Sequence, residues 1–207
     1  MKKLFLMVGL LVSLPSFASI SANVGITSDY IWRGMTQSDG ISVSGGFDYS
    51  AENGFYAGVW GANINWGYIT DDNDVLTDYG SGNEFDVYFG YGTEVGGIGV
   101  DLGYVAFKYP GVSAYDFEEV VLGLSYADFG LTFALGQDAA PDYTEISYAV
   151  GAFGFAYGEY DDYGDNILIT YGFTCGSYDC GFAYSDFSDK GYGADEDAFV
   201  FSISASL

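Results

Sequence analysis

The chain has 207 residues, with 29 Asp and Glu against 5 Lys and Arg, a net charge of −24 and no histidine. Such a polyanion gains nothing by releasing phosphate counterions, which excludes nucleic acid as a partner. The missing histidine excludes Ser-His, Cys-His and His-metal chemistry, so neither an enzyme nor a cofactor is expected. Hydrophobic residues at 49%, aromatics at 19% and 31 glycines against 3 prolines exclude an acidic disordered chain and favour sheet with tight turns.

Lys2-Lys3 form a basic head, Leu4 to Leu14 an apolar run, and Pro15 ends it. Ser16-Phe17-Ala18 then fits the small-x-small cleavage pattern, with a second option after Ala22. The run is too short for the roughly 20 residues that cross a bilayer as a helix. Residues 1-18 (1-22 by the second option) therefore read as a cleavable signal peptide, and 19-207 as one domain.

Beyond it the apolar residues recur at every second position. Ile20, Ala22, Val24, Ile26, Tyr30 and Trp32 alternate with Ser21, Asn23, Thr27, Asp29 and Arg33. The same period appears in Ile41 to Tyr49, Phe85 to Tyr91, Ile98 to Tyr104, Val120 to Tyr126 and Phe199 to Leu207. The strands read as about 20–33, 41–50, 55–66, 84–92, 97–108, 117–126, 130–136, 144–150, 153–160, 166–174, 179–186 and 196–207. Between 144 and 160 the parity flips at Gly151-Ala152. A two-residue turn there gives twelve strands; a bulge gives a longer strand and a lower count.

Short and long connections alternate along the chain, the longest spanning residues 67–83. In a meander this sorts tight turns to one end and long loops to the other, as in outer-membrane barrels. The second face of the strands carries Gly, Ser, Thr, Asn and sparse carboxylates, which suits a wet lumen, while the apolar face suits lipid. Tyr30, Trp32, Tyr49, Tyr56, Trp66, Tyr91 and Tyr126 near strand ends suit membrane girdles. The fold expected is all-β: an antiparallel up-and-down transmembrane β-barrel of about 12 strands in the cell outer membrane. Partners would be outer-membrane lipid and lipopolysaccharide, and the barrel assembly machinery, which would read the terminal strand ending in Leu207.

Ser28-Asp29-Tyr30-Ile31-Trp32-Arg33-Gly34-Met35-Thr36-Gln37-Ser38 resembles the opening motif of the TorF-type porins of Gram-negative bacteria. Gly45 to Tyr49, Gly54 to Trp60, Glu84 to Tyr88 and Tyr109-Pro110-Gly111 follow in that family's order, and the likeness thins after about residue 137. The resemblance implies an outer-membrane barrel with a pore. It carries no catalytic residue.

By parity the lumen would receive Asp29, Arg33, Asp48, Glu84, Asp86, Asp101, Glu119 and Glu145, seven acids and one base. Acid-lined channels select cations. Arg33, with Asp48 or Asp29 as its carboxylate, reads either as a constriction or as an ion pair pinning the first two strands. The loop acids Asp71, Asp72, Asp74, Asp78, Asp161, Asp162, Asp165, Asp189, Asp195, Glu196 and Asp197 match no full calcium loop, so they read as a solvated acidic face and no metal site is expected. Cys175 and Cys180 fall on one face across a short turn, where a disulfide forms after export, two free thiols being the other reading. The function expected is passive, cation-preferring diffusion of small solutes through a porin-like channel. A closed barrel whose acidic loops bind ions, ligands or surfaces without transport is the alternative. Oligomeric state is not legible.

Overall fold

The computed structural model describes residues 18–70, 76–111, 113–191 and 193–207, with the backbone alone at 68–70 and 76–81. The signal-peptide reading, and Asp71, Asp72 and Asp74, lie outside the described residues, as does the side chain of Asp78. The strands are β1 (Ser19–Thr27), β2 (Ile31–Trp32), β3 (Met35–Thr36), β4 (Ser42–Ser50), β5 (Phe55–Thr70), β6 (Leu76–Val95), β7 (Ile98–Lys108), β8 (Phe117–Tyr126), β9 (Phe129–Gly136), β10 (Tyr143–Val150), β11 (Phe153–Tyr160), β12 (Gly164–Cys175), β13 (Tyr178–Asp189) and β14 (Glu196–Ser206). Twelve of them close into an antiparallel meander barrel. β1 pairs with β4 on one side and with β14 on the other, while β2 and β3 form a separate hairpin.

The alternation in the sequence explains the closure. Each strand has one apolar and one polar face, and the barrel turns the apolar face outward. Phe199 is 70% exposed, whereas Ser185 is fully enclosed and Glu84 and Glu119 are 1% and 2% exposed. That inverts the arrangement of a water-soluble barrel. Closure also leaves the barrel sheet without an edge, since β14 meets β1 from Asn23↔Ser206 to Thr27↔Ser202. Gly151-Ala152 is a two-residue turn with Gly151 at φ 62°, which settles the count at twelve. Tight turns at 96–97, 127–128, 151–152 and 176–177 gather at one end, here the turn end; 28–41, 109–116, 137–142 and 190–195 gather at the other, the loop end.

Three expectations need correction. The first strand stops at Thr27 rather than continuing to residue 33, and residues 28–41 fold back inside as the β2–β3 hairpin. A hairpin this short keeps the period of two, so alternation alone could not separate it from a longer strand. The segment 67–83 is largely sheet, because β5 and β6 keep pairing beyond Asn65↔Ser81 to Thr70↔Leu76, across an irregularity at Gly67 (φ 73°). Finally, Tyr30, Trp32, Tyr56 and Trp66 are not girdle residues: they pack inside, Tyr30 and Tyr56 fully buried. On β5 both faces are apolar, and the inner one meets the inserted hairpin. Tyr49, Tyr91 and Tyr126 do stand exposed on the outer face near the turn end.

Large inner rings lie flat on glycines of neighbouring strands: Tyr88 on Gly58, Tyr56 on Gly90, Tyr143 on Gly158 and Phe187 on Gly164. A Cβ at any of these would enter the ring above it. Gly158→Ala should therefore cost about 1–3 kcal/mol, as overpacking does. A lower urea midpoint in detergent checks this, with Gly123→Ala as the control, since a Cβ there would meet nothing closer than Asp101 Cβ at 3.5 Å.

Candidate functional site

The lumen and the hairpin within it form the site. Asp29 organises the hairpin by accepting hydrogen bonds from the hydroxyls of Thr36 (2.8 Å) and Ser38 (2.9 Å). The Tyr30 amide donates to Ser38 Oγ and the Gln37 amide to the Tyr30 carbonyl. These short polar side chains compete with strand pairing and bend the chain inward. Arg33 (φ 46°) and Gly34 (φ 95°) make the reversal. Gly34 also approaches the wall closely: a Cβ there would lie 2.6 Å from Asn166 Cβ and 2.9 Å from Phe187 Cβ.

The hairpin is fastened all round. The Thr36 amide donates to Glu196 of β14 at 2.7 Å. On β5, the Asn65 amide donates to the Gln37 carbonyl and the Trp66 indole to Gln37 Oε1. Apolar packing fills the remaining space on two sides. Tyr30 and Trp32 join Ile64, Phe107 and Tyr109, while Met35 joins Tyr143, Tyr160 and Phe187.

Arg33 is the hairpin's charged contact. Its guanidinium donates twice to Glu119 of β8, at 2.7 and 2.8 Å, and once to the Tyr160 hydroxyl at 3.3 Å. The rings of Tyr143 and Trp32 lie 4.1 and 4.6 Å from its central carbon. Burial disfavours its charge, but Tyr160 and the Glu119 fork outweigh that and hold its pKa above the ordinary value. The pair is therefore an enclosed, bidentate ion pair. It crosses the lumen from the hairpin to β8; the partner expected, Asp48 or Asp29, is replaced by Glu119. Asp48 instead bonds Asn23 (3.3 Å) and the Tyr88 hydroxyl, and Asp29 stays within the hairpin. Parity put Arg33 on the lumen side but could not give its reach.

The remaining acids stand on the inner wall. Glu84 accepts from the Tyr30 hydroxyl at 3.1 Å, Asp101 from Tyr56 at 2.8 Å and Glu145 from Tyr143 at 3.0 Å, with Asp86 beside Glu84 on β6. Burial raises the Tyr30 phenol pKa, and Glu84 and Asp86 raise it further, so Tyr30 remains the donor. From the hairpin towards the turn end, Glu84, Asp86 and the Tyr88–Asp48 and Tyr56–Asp101 pairs make an acidic stripe on the β4–β7 wall. The strands β10, β13 and β14 carry small residues such as Ser147, Ala183 and Ser202. The loop-end half of the lumen is thus a packed core and the turn-end half is polar. Sequence reasoning placed the acids but missed the inner phenols Tyr56, Tyr88, Tyr143 and Tyr160. The glycines directly opposite several of them were the available signal.

A cavity of about 390 Å³ opens beside the hairpin against β14, lined by Asp29, Thr36, Asp39, Asp195, Glu196 and Asp197 among others. Among the described residues no three or more carboxylates or thiols converge as a metal centre. Cys175 and Cys180 form a disulfide across the β12–β13 turn, their Cα atoms 5.9 Å apart. So short a loop gains about 2 kcal/mol from the bond. Alkylation of denatured, unreduced protein should label neither cysteine, and reduction should label both.

Residues 15–192 match the model of the Gcw_chp family, described as a bacterial protein of unknown function. The chain belongs to that family. No curated protein matches it. The matched span holds the inserted hairpin, Arg33, Glu119 and every acid of the lumen stripe. In this Gcw_chp chain the closed twelve-strand barrel fits a bacterial outer-membrane protein.

Proposed function

We propose that this Gcw_chp chain is an outer-membrane channel for small cationic solutes, closed at its loop end by the inserted hairpin and opened when the hairpin leaves its seat. One observation carries the reading. A barrel with an apolar outer face encloses an acidic stripe, and among the described residues the one base inside it is already committed to Glu119. A low-dielectric wall focuses such a field and concentrates cations. Tight turns would face the periplasm and the loops the outside. Cleavage after Ala18 would leave Ser19–Ala22 paired with β4, whereas cleavage after Ala22 would remove those pairs. The mature protein would reach the membrane through the assembly machinery, which would engage β14, and would contact lipid and lipopolysaccharide along its outer face. It would act without enzymatic chemistry or cofactor. The TorF-type resemblance supports the same reading.

The packed hairpin favours a second reading, a permanently closed barrel that displays its acidic loops. Planar-bilayer recording of the purified protein separates the two: discrete cation-carrying openings support the channel, and silence in wild type and hairpin variants alike supports the closed barrel. The protein should fractionate with outer membranes and migrate faster on gels unboiled than boiled. Recovery from the soluble periplasm would overturn the membrane reading.

A further inference from the structure

Glu84 and Asp86 present a problem of charge. They are 1% and 4% exposed, stand two residues apart on the inner face of β6, and each has one carboxylate oxygen with no hydrogen-bond partner: Glu84 Oε2 and Asp86 Oδ1. Buried carboxylate oxygens without a partner are rare and costly. Among the described residues no basic side chain is free to neutralise them. Arg33 is held by Glu119, Lys108 by Asp116 and Glu118, and Lys190 by Glu159. Glu84 Oε1 already receives the Tyr30 hydroxyl. Tyr109 lies alongside and is likewise a phenol, not a base.

We propose that Glu84 and Asp86 form a binding site for a divalent cation of the calcium class, seated directly beneath the inserted hairpin. Side chains at positions i and i+2 of a strand share a face, so both carboxylates reach one ion. Two negative charges match a divalent ion, and hard oxygen donors match calcium, which also takes carbonyl oxygen and water. Asp48 and Asp101 lie further along the same wall and lead an ion from the turn end. Because Tyr30 belongs to the hairpin and bonds Glu84, an ion here also braces the hairpin's seat. The site needs no conduction, so it stands or falls apart from the channel reading.

The test uses mature protein in detergent, stripped with chelator and titrated with calcium chloride, with thermal unfolding as readout. Terbium chloride serves as a luminescent substitute excited through tyrosine, for which Tyr30 is placed beside the site. A single saturable site should appear, its affinity falling at least tenfold in Glu84→Gln and in Asp86→Asn and staying unchanged in Asp195→Asn at the loop end. Heat-modifiable migration confirms that each variant still forms the barrel. Should either variant fail to form it, Tyr30→Phe gives the second measurement, with reduced terbium emission at unchanged stoichiometry. Binding that is absent, unsaturable or equal in wild type and both carboxylate variants overturns the proposal. So does wild-type protein indifferent to calcium whose Glu84→Gln variant is simply more stable, since that is the mark of a shared proton.

Discussion

Arg33→Met should raise the conductance of the barrel at least tenfold and replace rare openings by sustained ones. Methionine is close in length to the aliphatic stem of arginine, but it loses the guanidinium that stands over Trp32 and Tyr143 and leaves Glu119 as a buried charge without a partner. Breaking an enclosed ion pair in this way costs about 3–5 kcal/mol. Each 1.4 kcal/mol is about a factor of ten in population, so the unseated hairpin would gain about two to three and a half orders of magnitude. Glu119→Gln should act in the same direction but less, since an amide oxygen still accepts from the guanidinium. Arg33→Met combined with Glu119→Leu should close the barrel again, because replacing both members by apolar groups of similar size is nearly neutral. Single-channel recording gives all three results. A barrel in which Arg33→Met conducts like the wild type would mean that the hairpin does not gate it.

The second large effect concerns selectivity. Cations should permeate better than anions, with the preference falling as salt rises, since the screening length shrinks from about 10 Å at 0.1 M to about 3 Å at 1 M. Asp48→Asn should weaken the preference far more than Asp195→Asn. Asp48 faces the lumen beside Tyr88, where a poorly polarisable wall strengthens its field, whereas Asp195 caps a solvent-facing loop through the Asp189 amide. Reversal potentials in a KCl gradient measure the difference. Equal effects of the two substitutions, or an anion preference, would contradict the acidic stripe as the conducting surface.

The barrel was legible because lipid and lumen impose opposite demands on alternate residues. Ile20, Val24 and Ile26 against Asn23 and Thr27 carry that demand openly, and the sorting of short turns from long loops gave the direction of each strand. The inserted hairpin was not legible. Tyr30 and Trp32 alternate with Asp29 and Arg33 as a strand would, and the contacts that hold them inside come from β5, β8, β11 and β14, far away in sequence. The same distance hid the partner of Arg33. Glu84 and Asp86 fell on the correct face by parity, but periodicity cannot tell a carboxylate in open water from one shut beneath a plug. Cys175 and Cys180 were readable as a pair because a two-residue turn is local and its geometry leaves few alternatives.

The hairpin also fixes an order of events during folding. Its anchors lie far along the chain: Arg33 meets Glu119 across 86 residues, Tyr160 across 127, and the Thr36 amide meets Glu196 across 160. The first of these contacts needs β8, the second β11 and the third β14, and Glu196 opens that final strand. Contacts of such high sequence separation form slowly, because loop entropy is lost before they contribute. The segment between β1 and β4 therefore completes its contacts only once β8, β11 and β14 stand around it. It can take its final seat only as β14 arrives to meet β1. The strand that closes the barrel against β1 is thus also the one that supplies the hairpin's most distant anchor.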